Sequence, residues 1–571
     1  MAATFILDIG NRDYTEWKLT QVEKSSSISQ PKLTGYFFHH DIIDQNGVLV
    51  RSPYREREEI GGVLLISEKT YGRAGTSRSK LLYKCVPNDK HLPCFLIPYE
   101  DKQLGFSKHK VDKYITFAFK EWTSQNKHPI GLLKNTIGDV DQKEAYATYQ
   151  MLCKEINDSL KQLNAASLRV LRENTLQPVP FAWKGKPIED RRSFPIISID
   201  PVGCKDIDDA LGIQHLNDTI ILSIYIANVP LMLEYLKLWP LLTNRIATIY
   251  LPHAKYPMLP VALSENVCSL REKEARAAFV LDVHIQDKQI KKIDYKPVII
   301  QVEKNYAYDE QELLMREDYK RIFKTVSELN NNQTRKVKNI RYVDKITNSH
   351  DIVEYCMLLM NHQCAELLEA DNVGIFRAAT IQASAEGQAP AAQDDDYENL
   401  PQDLRQILQN VSGEYCSYIN RQPHDLIAGG LDVYTHVTSP IRRLVDCINM
   451  LYLQQDEIEW SAEAYTFLRK WKTADGIATI NTKTKAIRKI QNQMELFELY
   501  EKNSTQIYTG TVFAKVTKAH GYKYKAYIRS LKLLTEVISS KDLPEYSPVD
   551  FSVHLFMDET KMAKKIRLQI L

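Results

Sequence analysis

Four aspartates that could hold metal ions lie close together in the 571-residue chain: Asp200, Asp206, Asp208 and Asp209. Like charges packed this closely repel one another unless a cation lies among them. Hard divalent cations such as Mg²⁺ take oxygen ligands and are typically held by a few carboxylates together with substrate phosphates. The spacing therefore predicts a site for one or two metal ions that could serve phosphoryl transfer.

The acidic segment could instead be a calcium loop or a solvated turn, and neither of these predicts catalysis. An EF-hand calcium loop has Gly at its sixth position and Glu at its twelfth. Counted from Asp206, these positions hold Leu211 and Asn217, so the segment is not an EF-hand loop. A solvated acidic turn that binds no metal remains open from the spacing alone.

Apolar, β-branched runs on both sides of the aspartates predict the elements that position them. Residues 194–199 come just before the first aspartate, and residues 219–226 follow the last one after a short apolar stretch. Runs of this length and composition are typical of buried strands. We therefore expect the aspartates on a loop between two strands.

A second segment that could bind phosphate lies far downstream, at residues 438–443, where Arg442 and Arg443 are adjacent. Ser439 could cap a helix there, and Pro440 suits the first helical position. A helix N-terminus favours anions, and Arg binds phosphate through paired hydrogen bonds. The plain alternative is a surface arginine pair in an ion-pair network.

The bulk composition excludes several classes of protein. Hydrophobic residues make up 44% and charged residues 26%, which is typical of a globular protein, and the net charge of +2 is too small for a general polycation. We find no apolar run near the ~20 residues of a spanning helix and no secretory signal. Nine scattered cysteines without a C-x-x-C pair favour reduced thiols, an intracellular protein of the cytoplasm or nucleus, and no zinc module.

Three blocks in order resemble one enzyme family. Residues 200–209 follow the pattern D-x5-D-x-D-D, and further blocks lie at residues 250–270 and 430–443. Together they closely resemble the RNase II (RNB) exoribonuclease family, most of all its eukaryotic branch, which includes the catalytic subunit of the exosome. The resemblance covers about residues 80–571. We expect no endonuclease domain of the kind that this subunit carries, because residues 1–80 are too short for one.

The resemblance implies an α+β fold in which an RNB catalytic domain, a mixed sheet with helices, is flanked by β-barrel OB folds. OB folds bind single strands by stacking bases on aromatic rings beside positive charge. The implied boundaries are a possible first cold-shock-type OB fold in residues 1–80, a cold-shock-type OB fold in 81–180, the RNB domain in 181–504, and a C-terminal OB fold for RNA binding in 505–571.

The resemblance also implies an activity and its catalytic residues. The activity would be Mg²⁺-dependent, processive 3′-to-5′ hydrolysis of single-stranded RNA to nucleoside 5′-monophosphates, with Mn²⁺ able to substitute. Asp200, Asp206, Asp208 and Asp209 would hold the metal ions, and Asp208 and Asp209 would also take part in catalysis. Arg442 would stabilise the scissile phosphate.

Three further residues receive roles in RNA binding from the resemblance. Arg443 would hold either the RNA backbone or a structural carboxylate. Tyr250 would stack on the base at the far end of the buried strand and so set the length of the final product. Tyr308 would lie near the RNA 3′ end. The partners implied are single-stranded RNA and an RNA-decay complex, without a membrane.

Some positions depart from the family pattern and keep other functions open. The family usually has Asp at position 228, Tyr at 444 and His at 450, where this chain has Asn228, Leu444 and Met450. A catalytically degenerate RNB-fold protein that only binds RNA is therefore the alternative. A small-molecule phosphodiesterase is disfavoured by the flanking barrels that the resemblance implies.

Aromatic residues beside lysines could line an RNA path in both flanking barrels. One such stretch is the predicted strand at residues 114–122, with Lys113 and Lys120, and another is residues 522–529 with three tyrosines. Alternate residues of a strand face inward, so about half of these rings should only fill a core. We also expect a helix at residues 351–369 and a loose linker at 382–398.

Overall fold

A computed structural model describes most of the chain, and two units emerge from it. The first comprises Met1–Glu155, Leu251–His253 and Arg488–Leu571, and the second comprises Ile156–Tyr250 and Ala254–Ile487. The described residues are 4–22, 31–33, 35–73, 80–100, 110–124, 126–173, 182–331, 341–379, 413–424, 430–502, 506–518, 521–531, 533–558 and 563–571.

The chain begins with a four-stranded antiparallel sheet, in the order β2-β1-β3-β4. Its inner face buries apolar side chains such as Phe5, Leu7 and Ile43. A turn at Gly47 joins the last two strands, and Gly47 has a φ of +79°. Whether residues 1–80 form an OB fold of their own remains a prediction. The strands are β1 (Thr4–Ile9), β2 (Trp17–Gln21), β3 (Ile42–Asp44) and β4 (Leu49–Arg51).

A closed five-stranded barrel follows, in the order β5-β6-β7-β9-β8. Its first strand precedes residue 81, where we placed the start of this domain. Helix α1 (Pro53–Glu56) leads into the barrel, and α2 (Lys143–Cys153) follows it. The strands are β5 (Ile60–Leu64), β6 (Leu81–Pro87), β7 (Phe95–Tyr99), β8 (Lys113–Glu121) and β9 (Ile130–Asp139).

Part of the aromatic stretch on β8 belongs to the barrel interior. Tyr114 and Phe117 are fully buried, and Lys113 is buried in an ion pair with Asp139. The ring of Tyr114 stacks on Tyr149 of α2, with 4.5 Å between centroids. The rings of Tyr114 and Phe117 therefore belong to the half of the aromatics that we expected to fill the core, while Phe119 and Trp122 are only partly buried.

A seven-stranded mixed sheet forms the centre of the second unit, in the order β12-β19-β18-β15-β14-β13-β20. Two of its pairings, β12 with β19 and β13 with β20, are parallel. Two strand pieces, β10 (Ala182–Trp183) and β11 (Lys186–Pro187), precede it. The other strands are β12 (Glu189–Arg191), β13 (Ile196–Asp200), β14 (Asp209–Leu216), β15 (Thr219–Ala227), β16 (Ile249–Leu251), β17 (Ala254–Tyr256), β18 (Ala275–Gln286), β19 (Gln289–Gln301) and β20 (Lys304–Ala307). Of these, β16 and β17 pair with each other in a separate two-stranded sheet.

Helices accompany this sheet, and the predicted helix at residues 351–369 is confirmed as α7. A capping box between Asn348 and Asp351 fixes its start. The predicted linker at 382–398 lies outside the described residues. The elements are α3 (Lys161–Glu173), α4 (Val229–Tyr235), α5 (Gln311–Met315), α6 (Glu317–Asn331), α7 (Ser349–Ala370), β21 (Ile375–Ala378), β22 (Glu414–Ser417), α8 (Leu444–Tyr452), α9 (Ala462–Trp471) and α10 (Ala474–Lys502), and a π turn covers Leu263–Val267.

A five-stranded antiparallel sheet ends the chain, in the order β25-β24-β23-β26-β27. Tyr524 and Tyr527 are buried, with 1% and 7% of their surface exposed, so they cannot stack on RNA bases as we predicted. Tyr522 is partly exposed, and Lys515 lies over its ring. The strands are β23 (Tyr508–Lys518), β24 (Gly521–Ile528), β25 (Leu533–Ser539), β26 (Pro548–Asp558) and β27 (Ala563–Ile570).

Two expectations from the sequence concern membrane-spanning helices and the state of the cysteines. Within the described ranges, no helix has both the length and the apolar character to cross a membrane. All nine cysteines of the chain are described, and each of them is a free thiol.

Candidate active site

The four aspartates lie at the junction of two neighbouring strands, but the second of these is β14, which we had not predicted, since we expected the next strand only at residue 219. Asp200 ends β13 and Asp209 begins β14, and these strands pair antiparallel at Ile197 and Leu211. Asp206 and Asp208 lie on the loop between them. Because the two strands are anchored in a buried sheet, the loop presents all four side chains at one end of that sheet.

A cavity of about 770 Å³ opens over this loop. All eight residues that we predicted for the site line it: Asp200, Asp206, Asp208, Asp209, Tyr250, Tyr308, Arg442 and Arg443. One wall is a face of α7, which includes His350 and Glu354. The structure thus brings the predicted residues together, while the role of each remains a prediction.

Asp208 is the best anchored of the four acids. Only 3% of its surface is exposed, its Oδ1 accepts a hydrogen bond from the Ile441 N–H at 2.9 Å, and its Oδ2 lies 3.2 Å from Nε of Arg442. Burial raises the pKa of Asp208 to about 7, and the Arg442 charge opposes that rise. The acid loop and the arginine segment are therefore joined directly, although they are far apart in the sequence.

Asp200 and Asp209 form the side of the cavity where negative charge is least compensated. In the part of the chain that the structure describes, the buried Oδ2 of Asp200 has no hydrogen-bond partner. Burial raises the pKa of Asp200 to about 6. Burial, and then the charges of Asp200 and Asp208, raise the pKa of Asp209 well above its usual range.

Asp206 differs from the other acids because a lysine neutralises it. Nζ of Lys255 donates to Oδ1 of Asp206 at 2.7 Å and to Oε1 of Glu265 at 3.2 Å. The Tyr250 hydroxyl donates to Oδ2 of Asp206 at 3.3 Å. Sequence reasoning missed both Lys255 and Glu265, since neither belongs to an acidic or arginine-rich pattern that would have drawn attention to it.

The donor set fits a hard divalent cation. It offers carboxylate oxygens, one of them buried without a partner among the described residues, in a cavity where burial raises the pKa values of Asp200 and Asp208. Among the described residues, two sets of three side chains have donor atoms within 4.8 Å of one another: Asp8, His39 and His40, and His350, Asp351 and Glu354. The loop acids are absent from both, so an ion there would need other oxygens. Mg²⁺ usually completes its shell with water and substrate phosphate.

The arginine segment does not start a helix in the way that we predicted. Helix α8 begins at Leu444 with Arg443 as its N-cap, so neither Ser439 nor Pro440 takes the predicted capping position. A separate turn comes first, and the Ser439 N–H donates to Oδ1 of Asp446 at 2.7 Å. The Ser439 and Ile441 N–H groups of this turn are thus satisfied by carboxylates, so these two donors are not available to a phosphate.

Arg443 contacts a carboxylate, which was one of its two predicted roles. Its Nη2 lies 2.8 Å from Oδ1 of the fully buried Asp446 and 3.2 Å from Oγ of Ser439. Arg442 is directed differently, because 48% of its side chain is exposed and its Nη2 reaches only Ser439, at 3.2 Å. Of the two guanidiniums, Arg442 is the one available to a ligand in the cavity.

Both predicted tyrosines lie beside the acids. The backbone N–H of Tyr308 donates to the carbonyl oxygen of Asp200 at 3.1 Å, and its ring lies 5.1 Å from that of His350. Tyr250 is 41% exposed, and its hydroxyl contacts Asp206. Both rings are therefore placed where they could meet a bound strand, while the base that each would contact stays a prediction.

The departures from the family pattern have structural roles. Asn228 is buried and caps α4, where its Oδ1 accepts from the Leu231 N–H at 3.2 Å, while its Nδ2 donates to Gln454 at 2.8 Å. Leu444 and Met450 are both buried apolar residues of α8. These three residues contribute to packing and capping, and none of them lines the cavity.

Two models of known families match the chain. The RNB domain model matches residues 188–330 and 315–456, and the model of the Dis3-like cold-shock domain 2 (CSD2) matches residues 82–149. The exosome complex exonuclease RRP44 homolog A of Arabidopsis thaliana is 29% identical over 215 residues. That alignment covers 36% of this chain and 21% of the Arabidopsis protein, so the chain spans about a fifth of this relative.

Solved structures share the fold at low sequence identity. The apo form of Mycoplasma genitalium RNase R has a TM-score of 0.64 and 16% identity, with 99% of both chains covered. Yeast Ssd1, described as a pseudonuclease, has a TM-score of 0.56 and 13% identity, covering 99% of this chain and 81% of that one. With the acid loop, the mixed sheet and the barrel in place, the family-model matches show that the chain contains an RNB domain and a Dis3-like cold-shock domain.

Proposed function

We propose that this chain is a Mg²⁺-dependent, processive 3′-to-5′ exoribonuclease that releases nucleoside 5′-monophosphates from single-stranded RNA. The observation that carries the proposal is the meeting of the four loop aspartates and Arg442 in one cavity. An acidic turn without function would be free in solvent, whereas this loop is partly buried and its Asp208 accepts a hydrogen bond from the distant Ile441 N–H.

The acids would differ in their roles, in metal binding or in orienting Arg442, according to their surroundings. When bound, a divalent cation supplies Lewis-acid charge and an activated water for in-line attack on phosphorus. Asp200 and Asp209 would hold it, since their charges are the least compensated by protein donors. Asp208 would orient Arg442, because its carboxylate is fixed by the Ile441 N–H on one oxygen and pairs with Nε of Arg442 on the other.

Arg442 would stabilise the charge that develops on the scissile phosphate. A guanidinium has five N–H donors, and the contacts to Asp208 and Ser439 engage two of its three nitrogens. The exposed remainder can donate to phosphate oxygens, in the manner of donors arranged for a developing negative charge. The rings of Tyr250 and Tyr308 beside the acids could stack on bases of the bound strand, which single-strand binding proteins commonly exploit.

The test is a time course of 5′-labelled single-stranded RNA with and without Mg²⁺. We expect labelled products to shorten from the 3′ end only in the presence of the ion. Asp208→Asn should abolish shortening, while Asp218→Asn should not, since Asp218 is an exposed acid outside the cavity. Equal activity of the Asp208 variant would contradict the proposal.

The second candidate is an RNB-fold protein that binds RNA without hydrolysing it. The observation in its favour is the Lys255 ion pair, which occupies Asp206, one of the four predicted metal ligands. This candidate predicts that the protein shifts RNA in a gel-shift assay and that RNA is not shortened at any Mg²⁺ or Mn²⁺ concentration. The time course above therefore distinguishes the two candidates.

A further inference from the structure

The cavity has two sides that differ in electrostatic compensation. On one side Asp206 receives hydrogen bonds from both Lys255 and Tyr250. On the other side the buried Oδ2 of Asp200 has no partner among the described residues. Among the described residues, a cation is therefore paired with Asp206, whereas none is paired with Asp200 or its neighbour Asp209, on which Arg442 acts only through its charge.

Lys255 is held in place by two carboxylates rather than loosely attracted to one. Its Nζ lies 2.7 Å from Asp206 and 3.2 Å from Glu265, and its side chain is only 28% exposed. Lys255 lies on the short strand β17, and Glu265 lies on the π turn Leu263–Val267. Such turns occur often at functional sites, because the extra residue redirects a side chain.

A lysine ammonium in this position would compete with a divalent ion for Asp206. Cations a few ångströms apart repel strongly where the surroundings are shielded from water. Lys255 also has three N–H donors, of which two point to Asp206 and Glu265. A third donor is then left for a phosphate oxygen or a water, which are ligands that a metal ion would otherwise bind.

We propose that Lys255 takes the place of a second divalent cation, so that this chain holds one ion, at Asp200 and Asp209, and keeps Asp206 as the anchor of a lysine. The inference deepens the proposed function and rests on it only in assuming that the acid loop binds a metal ion. Glu265 acts as a positioning residue, because it gives the ammonium a second carboxylate partner beside Asp206.

The experiment counts bound Mn²⁺ by electron paramagnetic resonance and calorimetry on the full chain without RNA. Wild type should bind one ion. Lys255→Met should bind a second ion, since a repelling charge is removed and Asp206 is freed. Its affinity for this second ion should be at least about tenfold higher than any affinity of wild type for a second ion. The control is Lys205→Met, because Lys205 is an exposed lysine of the same cavity without an ion pair in the described structure. It should bind one ion.

Two variants keep the inference falsifiable if Lys255→Met folds poorly, which circular dichroism would reveal. Lys255→Gln should also admit the second ion, while Lys255→Arg keeps the charge and should bind one. Two ions in wild type, none in wild type, or an unchanged count in both neutral variants would overturn the inference.

A role of Lys255 in holding RNA alone would give a different pattern. The neutral variants would then bind RNA more weakly while their Mn²⁺ count stayed at that of wild type, and this result would overturn the inference. The proposed function is judged separately by RNA shortening in wild type. Active wild type with unchanged ion counts would refute only the role of Lys255, and inactive wild type with the expected counts would refute only the exonuclease.

Discussion

Replacing Arg442 by Lys keeps the positive charge but removes the planar group that can reach two partners at once. Arg442 uses Nε toward Asp208 and Nη2 toward Ser439, at 3.2 Å each. A lysine has a single nitrogen, so contact with Asp208 would withdraw it from a phosphate in the cavity. The change should therefore affect the chemical step more than the folding of the loop.

The size of the effect follows from what Arg442 would donate in the transition state. Loss of one donor that stabilises developing negative charge costs roughly 10²–10³ in rate, or about 2.7–4 kcal/mol. An interaction made mainly in the transition state appears in kcat and leaves substrate affinity nearly unchanged. We therefore expect Arg442→Lys to slow hydrolysis by about two to three orders of magnitude with similar RNA affinity.

Arg443→Lys is the matched comparison, because the neighbouring guanidinium also lines the cavity but is paired with a buried carboxylate. It binds Asp446, which is fully buried, and Ser439. Weakening a hydrogen bond to a buried charged group costs about 1–3 kcal/mol of stability. This variant should lower the melting temperature and leave kcat nearly intact.

Single-turnover decay of a short oligoribonucleotide at saturating enzyme measures the chemical step in both variants. If Arg443→Lys slows this step more than Arg442→Lys, the roles of the two arginines are exchanged. If neither variant slows it, the arginine segment only supports the acid loop.

Three further predictions follow from the same contacts. Tyr250→Ala should release RNA earlier and leave a longer final product, because stacking of a base on the ring is worth ~1–3 kcal/mol. Tyr250→Phe keeps the ring and should keep the product length, and a gel of the end products compares the two variants. In metal-free protein the folded state holds a proton on Asp208 up to a pKa of about 7 while the unfolded state loses it near 3.8, so stability should fall as pH rises between these values. Melting curves should show a smaller fall for Asp208→Asn, and Mg²⁺ should raise the wild-type melting temperature most above about pH 7. Asn228→Asp should lower the free energy of unfolding by about 1–3 kcal/mol, because the carboxylate keeps the cap but cannot donate to Gln454; a urea titration measures it.

The elements around the acids could be predicted because their signals are local. Short β-branched runs on both sides of residues 200–209 gave β13 and β15, and helical spacing gave α7. The same local signals could not tell which strand residues face inward. Tyr524 and Tyr527 were therefore taken for RNA-binding rings, although both are buried in the last sheet.

The contacts that complete the site could not be predicted, because they join distant parts of the chain. The Ile441 N–H binds Asp208, and Lys255 neutralises Asp206, through pairings that no spacing in the sequence reveals. The helix start at Leu444 was misplaced for a related reason. Ser439 looked like a cap, but Asp446 accepts its N–H and holds a separate turn before the helix.

The most direct test of the proposed reaction is the identity of the product released from uniformly labelled single-stranded RNA. Thin-layer chromatography of the reaction with Mg²⁺ should reveal nucleoside 5′-monophosphates from the earliest time points, together with full-length RNA not yet engaged by enzyme. Asp208→Asn and reactions with chelator should release none. Three results would contradict a metal-dependent exoribonuclease of this kind. The first is the release of intermediate oligonucleotides without any mononucleotide, and the second is the release of nucleoside 3′-monophosphates. The third is equal release of product without a divalent ion.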